Sequence, residues 1–195
     1  MLDPNDESDA KPWDLNTEFP IDSQTTPNDK NALLNIRQIL QSHGNYSYLE
    51  IGSFLGGSLT PFLADPKCVR ILSIDDRERA QPDERGIKFD YAGITHETML
   101  CNLRNVGFST EKVEVFNGSA DKYDRTQHNF DFIFIDGEHT DFACFRDFIH
   151  TEKLLNKNSI VAFHDSTLVY KSLKIIVEYL KSQGRVFNFM KIKDI

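Results

Sequence analysis

Residues 130–136 read FDFIFID, an almost continuously apolar run that ends on an aspartate. A short run of this kind is typical of a strand buried on both faces, as the strands of parallel sheets are. Such a strand needs a neighbouring strand on each edge and helices above and below it. The segment therefore predicts the central part of an α/β fold.

The rest of the chain supports this interpretation because strand-like and helix-like segments alternate along it. Further strands are predicted at 46–52, 70–75, 113–116, 160–163 and 186–192. Helices are predicted from Thr26-Pro27 to Gly44, over 95–106, along the face Phe142, Phe145, Phe148 and Ile149, and from Val169 to Gly184. The pattern predicts a Rossmann-like, doubly wound, mostly parallel sheet with helices on both faces and right-handed crossovers.

Residues 1–26 differ in composition from the rest of the chain. They are polar and acidic, so we expect a flexible N-terminal arm, followed by a single domain over 27–195. Trp13 and Phe19 are the large apolar side chains that can dock this arm or cover a ligand. The charged segment 76–94 is long for a simple connection, which makes it either a lid that recognises substrate or a solvated insertion.

Charge and composition exclude several classes of function. The net charge of the chain is −8, of which residues 31–195 carry only −2, so a basic surface for nucleic acid is not expected. No apolar run is long enough to span a membrane, and the N-terminus does not resemble a secretory signal. Cys68, Cys101 and Cys144 form no CxxC pair, as is typical of free thiols in a reducing cytoplasm.

A glycine-rich turn, GSFLGGS, follows the first strand at residues 52–58. Glycines after a strand let the backbone approach a ligand, and a following helix N-terminus can hold a carboxylate or a phosphate. The spacing G-x-x-x-G-G is not the G-x-G-x-x-G of dinucleotide-binding proteins. About twenty residues further on, Asp75 ends the second strand, where a carboxylate can accept both hydroxyls of a ribose. The adjacent Asp76 competes for that role.

The fourth and fifth predicted strands also end in polar residues. Asp136 and His139 follow one strand, and His164 and Asp165 follow the next. His139 is a candidate general base, because an imidazole exchanges protons near neutral pH. Two imidazoles and two carboxylates at neighbouring strand ends are also candidate ligands for a divalent cation. Asp165 has an alternative role as the N-cap of the following helix.

Together these segments resemble the class I S-adenosylmethionine-dependent methyltransferases, over about residues 30–184. The segment from Phe130 to Ser166 is similar to the family-24 group of small-molecule O-methyltransferases, which includes macrolide sugar methyltransferases. The turn EIGSFLGGS resembles that of catechol O-methyltransferase-type enzymes. The resemblance implies a cofactor-binding set, which comprises Glu50, Gly52, Ser53, Gly56, Gly57, Ser58, Asp75, Gly118, Ser119, Ala120 and Asp136.

Within that set the resemblance implies distinct roles. The turn after the first strand would hold the methionine part of S-adenosylmethionine, Asp75 the ribose hydroxyls, and residues 118–120 the adenine. His139 matches the general base of the sugar methyltransferases, with Asp136 beside it as a second catalytic residue. Asp136, His164 and Asp165 stand where metal-dependent members bind Mg²⁺, although those members have an acidic residue at the position of His164.

The expected function is therefore methyl transfer from S-adenosylmethionine to a hydroxyl of a small polar molecule, assisted by Mg²⁺ or another divalent cation. The chain departs from the resemblance in stopping after its sixth predicted strand. This would leave out the seventh strand of the class and expose a sheet edge that a second copy of the chain can cover, as a homodimer. The alternative function is a catalytically inactive binding or partner subunit that keeps the fold.

Overall fold

The computed structural model describes residues 13–77, 80–124 and 129–191. A five-stranded sheet in the order β5-β2-β1-β6-β7 forms its centre, and every neighbouring pair of strands is parallel. The strands are β1 (Tyr46–Ile51), β2 (Cys68–Asp75), β5 (Val113–Asn117), β6 (Phe130–Ile135) and β7 (Leu155–Phe163), with a small antiparallel hairpin of β3 (Gln81–Pro82) and β4 (Lys88–Phe89). The order reverses between β1 and β6, as the predicted doubly wound sheet requires.

Six helices surround the sheet in the described part of the chain. They are α1 (Leu15–Glu18), α2 (Pro27–His43), α3 (Thr60–Ala64), α4 (His96–Asn105), α5 (Asp141–Thr151) and α6 (Tyr170–Ser182). The predicted start of α2 is confirmed, because Thr26 is its N-cap and Pro27 its first residue. Thr26 and Asp29 form a reciprocal capping box, in which each side chain accepts a hydrogen bond from the backbone of the other.

The strand side chains alternate between two apolar layers. Tyr48, Phe132 and Phe134 face the layer that contains α2, α3 and α4. Ile133 and Ile135 face the opposite layer, which contains α5 and α6. Burial on both faces explains why the sequence of β6 is apolar at nearly every position. The Rossmann-like α/β fold predicted from the sequence is confirmed.

The segment 13–26 lies against the domain. Phe19 and Ile21 are buried in the layer of α2, and Glu18 forms an ion pair with Arg37, whose Nη1 lies 2.6 Å from the Glu18 carboxylate. The Arg37 guanidinium also lies 5.2 Å from the centre of the Trp13 ring. The described part of the predicted arm is therefore packed on α2 and α3.

Two details of the predicted elements are wrong. The strand predicted over 186–192 does not form within 186–191, where Val186, Phe189 and Met190 are exposed; Ile192 lies outside the described residues. A strand needs a neighbouring strand to pair with, and the described chain places none beside this segment. Phe142 is 75% exposed and lies off the buried face of α5. None of the helices described is both long enough and apolar enough to cross a bilayer.

Candidate functional site

The glycine-rich turn brings the end of β1 directly against the end of β6. Gly52 has a positive φ of 87°, and a Cβ at this position would lie 2.1 Å from the carbonyl oxygen of Asp136. Glycine is therefore required by both the backbone conformation and the close approach. Gly57 has a different neighbour, since its missing Cβ leaves room for the backbone of residues 21–22 and for Ser23.

A cleft with about 560 Å³ of empty space opens above the carboxyl ends of the strands. A second, smaller depression of about 320 Å³ adjoins it, and Gly52, Asp75 and Gly137 line both. The predicted residues that line the larger part are Gly52, Ser53, Ser58, Asp75, Asp136 and His139. Those that line the smaller part are Gly52, Asp75, Gly118, Ser119 and Ala120. Most of the predicted cofactor residues thus share one continuous groove.

Glu50, Gly56 and Gly57 do not line that groove. Glu50 is fully buried under it, and its Oε1 accepts a hydrogen bond of 2.5 Å from the Ser58 hydroxyl. Burial raises the pKa of Glu50 to about 8, and its Oε2 makes no hydrogen bond within the described chain. Gly56 packs on Met99 of α4. These three residues shape the turn from behind.

Asp75 lies at the end of β2 and is nearly buried. Its Oδ2 accepts a hydrogen bond of 3.0 Å from the backbone N–H of Phe54, which ties the glycine-rich turn to the second strand. Arg77 lies 3.6 Å from the same oxygen. Burial raises the pKa of the Asp75 carboxyl, and Arg77 opposes that increase. Asp76 lines only the smaller part of the groove and not the larger part.

A cluster of two imidazoles and three carboxylates, which we call the polar corner, closes the other end of the groove. It consists of Asp29, Asp136, His139, His164 and Asp165. His164 places Nδ1 2.9 Å from Asp136 Oδ1 and Nε2 3.1 Å from Asp29 Oδ2. His139 places Nε2 3.2 Å from Asp136 Oδ1 and Nδ1 3.1 Å from Asp165 Oδ2. One nitrogen of each imidazole ring thus lies within 3.2 Å of Asp136 Oδ1.

The charges of the polar corner shift the protonation of its members. Burial acts to lower the pKa of His164, but the Asp136 and Asp29 carboxylates outweigh it and raise the pKa to about 11. Burial acts to raise the pKa of Asp29, but hydrogen bonds from His164 and Thr26 lower it to about 2. The pKa of Asp136 is also lowered, because the two histidines outweigh its burial. The corner therefore strongly favours a positive charge between its carboxylates.

Asp165 does not cap α6. Its φ is +45°, in the left-handed region, and its carboxylate lies against His139, while the N-cap position of α6 belongs to Val169 without a side-chain hydrogen bond. Residues held in this region are often found at functional sites. Of the two roles open to Asp165 in the sequence, the described structure gives it a place in the polar corner.

Comparison with known families decides what kind of protein this is. A family model described as a methyltransferase domain, that of family 24, matches residues 49–166, which is more than half of the chain. The chain belongs to the family-24 methyltransferases. The matched region runs from the end of β1 to the start of the connection between β7 and α6. It contains every site residue predicted from the sequence, whereas Ser23, Gln24 and Thr25 of the groove precede it.

Solved structures share the fold of this methyltransferase at low sequence identity. A protein from Staphylococcus aureus provisionally assigned as a caffeoyl-CoA O-methyltransferase is 19% identical with a TM-score of 0.58, over 90% of this chain and 82% of its own. The O-methyltransferase TomG of Streptomyces achromogenes, in complex with S-adenosylmethionine, gives 17% and 0.56, over 88% and 75%. An O-methyltransferase from Bacillus cereus, with S-adenosylhomocysteine, gives 18% and 0.54, over 81% and 70%. No curated protein sequence matches.

Family and fold together make the chain a class I methyltransferase of the type that uses S-adenosylmethionine. The sequence analysis did not assign several polar residues in and around its groove, among them Gln24, Arg77, Tyr91 and Asp29. Gln24 and Tyr91 form part of the rim, where the Tyr91 hydroxyl donates a hydrogen bond of 3.1 Å to Gln24 Oε1. Arg77 lies in the wall, and Asp29 holds His164. Asp29 stands in a capping box, so the sequence pattern of residues 26–29 indicates only a helix start.

Within the described part of segment 76–94, the β3–β4 hairpin of the methyltransferase lies beside the polar corner. The backbone N–H of Glu84 donates to the carbonyl of His139 at 3.0 Å, and the Glu84 carboxylate accepts from the backbone N–H of Asp141 at 2.7 Å. The hairpin is therefore fastened to the loop that carries His139. A lid that recognises substrate stays a prediction for this segment.

Proposed function

We propose that this methyltransferase transfers the methyl group of S-adenosylmethionine to a hydroxyl of a small polar molecule. The observation that carries the proposal is the continuity of the groove from the turn 118–120, past Asp75 and Gly52, to Asp136 and His139. A cofactor that extends along the groove from the smaller depression would present its sulfonium end toward the polar corner. An acceptor bound there is next to side chains that can hold or take a proton.

The reaction in this proposal is a displacement at the methyl carbon. The acceptor oxygen forms a bond to that carbon while the carbon–sulfur bond breaks, which yields S-adenosylhomocysteine and a methyl ether. The hydroxyl proton must leave to a neighbouring base or to solvent. Holding the oxygen in line with the breaking bond supplies much of the rate enhancement, up to ~7–11 kcal/mol in ideal cases.

The rim of the groove supports a polar acceptor. Ser23, Gln24 and Thr25 line it on one side, and Tyr91 meets Gln24 across it. Hydroxyl and amide groups at a rim favour a ligand that carries hydrogen-bonding groups of its own, such as a sugar or a glycoside. The proposal therefore names a hydroxylated polar molecule as the substrate class.

Both ring nitrogens of His139 face carboxylates, which bears on its expected role as the base. The ring is 22% exposed and is held between Asp136 and Asp165. To accept a proton from the acceptor it must release one of these contacts. We therefore place the acceptor oxygen next to the polar corner without naming one side chain that takes its proton. The role of His139 as the base stays a prediction.

The trio that the resemblance gives for Mg²⁺ does not fit that ion. One of its members, His164, offers nitrogen where Mg²⁺ prefers oxygen, and Asp165 lies against His139. In the described chain the ligand atoms of Asp136, His139 and His164 are the ones that lie within 4.8 Å of one another. No step of the proposed reaction passes through Mg²⁺.

Calorimetric titration with S-adenosylmethionine, S-adenosylhomocysteine and NAD⁺ tests the cofactor. We expect micromolar binding of the two sulfur compounds and none of NAD⁺. Incubation with a panel of sugars, glycosides and phenols, with S-adenosylhomocysteine measured by mass spectrometry, then tests the acceptor. Cofactor binding without turnover on any hydroxylated acceptor would overturn the proposed reaction in favour of a binding subunit. Failure to bind either sulfur compound would overturn the whole proposal.

A further inference from the structure

We propose that Asp136, His139 and His164 bind one divalent transition-metal ion through two imidazole nitrogens and one carboxylate oxygen, and that Asp29 and Asp165 orient the two imidazoles from behind. The polar corner has the architecture of such a site. Its two histidines approach Asp136 from different strand ends, one after β6 and the other after β7.

Each imidazole has an inner and an outer nitrogen. The inner ones, Nε2 of His139 and Nδ1 of His164, face Asp136 Oδ1 at 3.2 and 2.9 Å. The outer ones face Asp165 and Asp29, each at 3.1 Å. A histidine that binds a metal through one nitrogen usually donates its other N–H to a carboxylate, carbonyl or water. Both histidines of the corner meet that condition at once.

The inner nitrogen of His164 is the atom that most needs a partner. It is buried and makes no hydrogen bond, although it lies 2.9 Å from Asp136 Oδ1. Its ring is 9% exposed and donates the Nε2–H to Asp29, so Nδ1 can face the Asp136 carboxylate favourably only with a proton or a metal ion on it. A lone pair directed at a carboxylate is unfavourable unless a cation lies between them. The geometry therefore points to a cation at this place.

The spacing of the inner atoms agrees with a shared metal ion. Ligand bonds of about 2.1 Å at right angles or tetrahedral angles place the ligand atoms about 3.0–3.4 Å apart. The two distances to Asp136 Oδ1 are 2.9 and 3.2 Å, and all three atoms lie within 4.8 Å of one another. Satisfying the same contacts with protons alone requires two imidazolium rings whose centres are 5.6 Å apart. One metal ion satisfies them with neutral rings.

The donor set indicates the class of metal. Imidazole suits zinc, iron, cobalt and nickel, whereas Mg²⁺ and Ca²⁺ prefer oxygen ligands, and a set of two histidines and one carboxylate leaves coordination positions open. If the proposed function also holds, an acceptor hydroxyl in an open position would have its pKa lowered by the ion. His139 would then be a metal ligand, which replaces the role of base expected from the sequence.

Asp29 is a positioning residue in this proposal, and the chain offers a matched control for it. Asp29 both closes the capping box of α2 and accepts the hydrogen bond from His164. Thr26→Ala removes the capping hydroxyl, which also donates to Asp29 Oδ2 at 2.7 Å, but keeps the negative charge of Asp29, whereas Asp29→Asn removes that charge from behind His164. The two variants separate helix capping from metal binding.

Titration of the metal-free protein with Co²⁺ alone tests the site by calorimetry and by the visible spectrum of the ion. We expect one Co²⁺ per chain, at least ~100-fold tighter binding of Co²⁺ than of Mg²⁺, and a loss of at least ~100-fold in His139→Ala and His164→Ala. Asp29→Asn should lower the affinity by ~10–100-fold, as changes to such supporting carboxylates do. Thr26→Ala, which keeps the charge of Asp29, should lower the affinity much less than Asp29→Asn does. His96→Ala should leave the affinity unchanged, because it removes an imidazole that lies 2.7 Å from Glu97 outside the corner.

The wild-type protein provides a readout that does not depend on how well the variants fold. Proton NMR of its Co²⁺ form should show two paramagnetically shifted, exchangeable imidazole N–H signals, one from each outer nitrogen. Absence of stoichiometric Co²⁺ binding, equal affinity for Mg²⁺, or an equal loss of affinity in His96→Ala would overturn the proposal. The titration needs neither cofactor nor acceptor, so its failure is distinguishable from failure of the proposed methyl transfer.

Discussion

Gly52 lies against the backbone of Asp136 so closely that a Cβ at position 52 would stand 2.1 Å from the Asp136 carbonyl oxygen. This contact joins the end of β1 to the end of β6, at the point where the strand order reverses. It places the glycine-rich turn and the polar corner side by side. The floor of the groove therefore depends on the absence of one side chain.

Gly52→Ala should destabilise the protein far more than the same change at another glycine. Gly86 is the control, since its φ is also positive, at 78°, but a Cβ there would meet nothing within 4 Å. We expect a loss of about 1 kcal/mol at Gly86 from backbone strain, and a further ~1–3 kcal/mol at Gly52 from the collision. Denaturant unfolding measures both. Equal losses would contradict the close approach.

Asp75→Asn should weaken binding of S-adenosylhomocysteine by ~10–100-fold, the usual cost of losing a hydrogen bond to a charged group. Asp76→Asn is the control, because Asp76 lines only the smaller part of the groove, whereas Asp75 lines both parts. Calorimetry with both variants measures the difference. A greater loss in Asp76→Asn than in Asp75→Asn would show that the ribose is held by Asp76, the competitor that the sequence left open.

Glu50→Gln should change how stability depends on pH. Burial raises the pKa of Glu50 to about 8, above the value of about 4.5 for an exposed glutamate. The folded state thus holds the proton more tightly than the unfolded state. The contribution of protonated Glu50 to the free energy of unfolding is therefore fully present below about pH 4.5 and is lost as the pH rises to about 8.

Between those values, the free energy of unfolding of Glu50→Gln should rise relative to wild type by roughly 1 kcal/mol per pH unit, because glutamine keeps the neutral form at every pH. Urea unfolding at pH 5, 6.5 and 8 measures the trend. Glu111→Gln, at an exposed position, should show no such trend. A parallel pH dependence of wild type and Glu50→Gln would mean that Glu50 is ionised throughout.

Tyr91→Phe should alter the rim of the groove without altering the fold. It removes the hydroxyl that donates to Gln24 Oε1 but keeps the ring, whose centre lies 5.6 Å from that of Phe54. We expect a stability change within about 0.5 kcal/mol, as for most surface changes, and a several-fold faster release of S-adenosylhomocysteine in stopped-flow measurements.

A double-mutant cycle with Gln24→Ala shows whether the effect comes from the contact between the two residues. Once one partner has gone, changing the other should have no further effect on the release rate. Additive effects of Tyr91→Phe and Gln24→Ala would show that the two residues act separately on the ligand.

The features that follow local rules could be predicted from the sequence. A nearly continuous apolar run predicted β6 as a doubly buried strand, and Thr26-Pro27 predicted the start of α2. The strand ends also predicted which polar residues meet, because parallel strands finish at one edge of a sheet. His139 and His164 lie near Asp136 for this reason.

What could not be predicted depends on contacts between distant parts of the chain. Asp29 and His164 are 135 positions apart, and nothing in either segment indicates the other. The glycine motif led to Gly57 as a cofactor residue, but nothing in it indicates that residues 21–23 pack against this glycine. The apolar residues of 186–192 predicted a strand, but composition supplies no partner strand.

The N-terminal segment has a consequence for how enzymes of this kind diversify. Residues 19–29 precede the region that defines the family, yet they fill the space beside Gly57, form one side of the rim and hold His164. Residues 19–29 can therefore change during evolution while the motifs that bind the methyl donor stay the same. Two relatives with identical motifs can then differ in the molecule that they modify, and a survey restricted to the shared region would group them together.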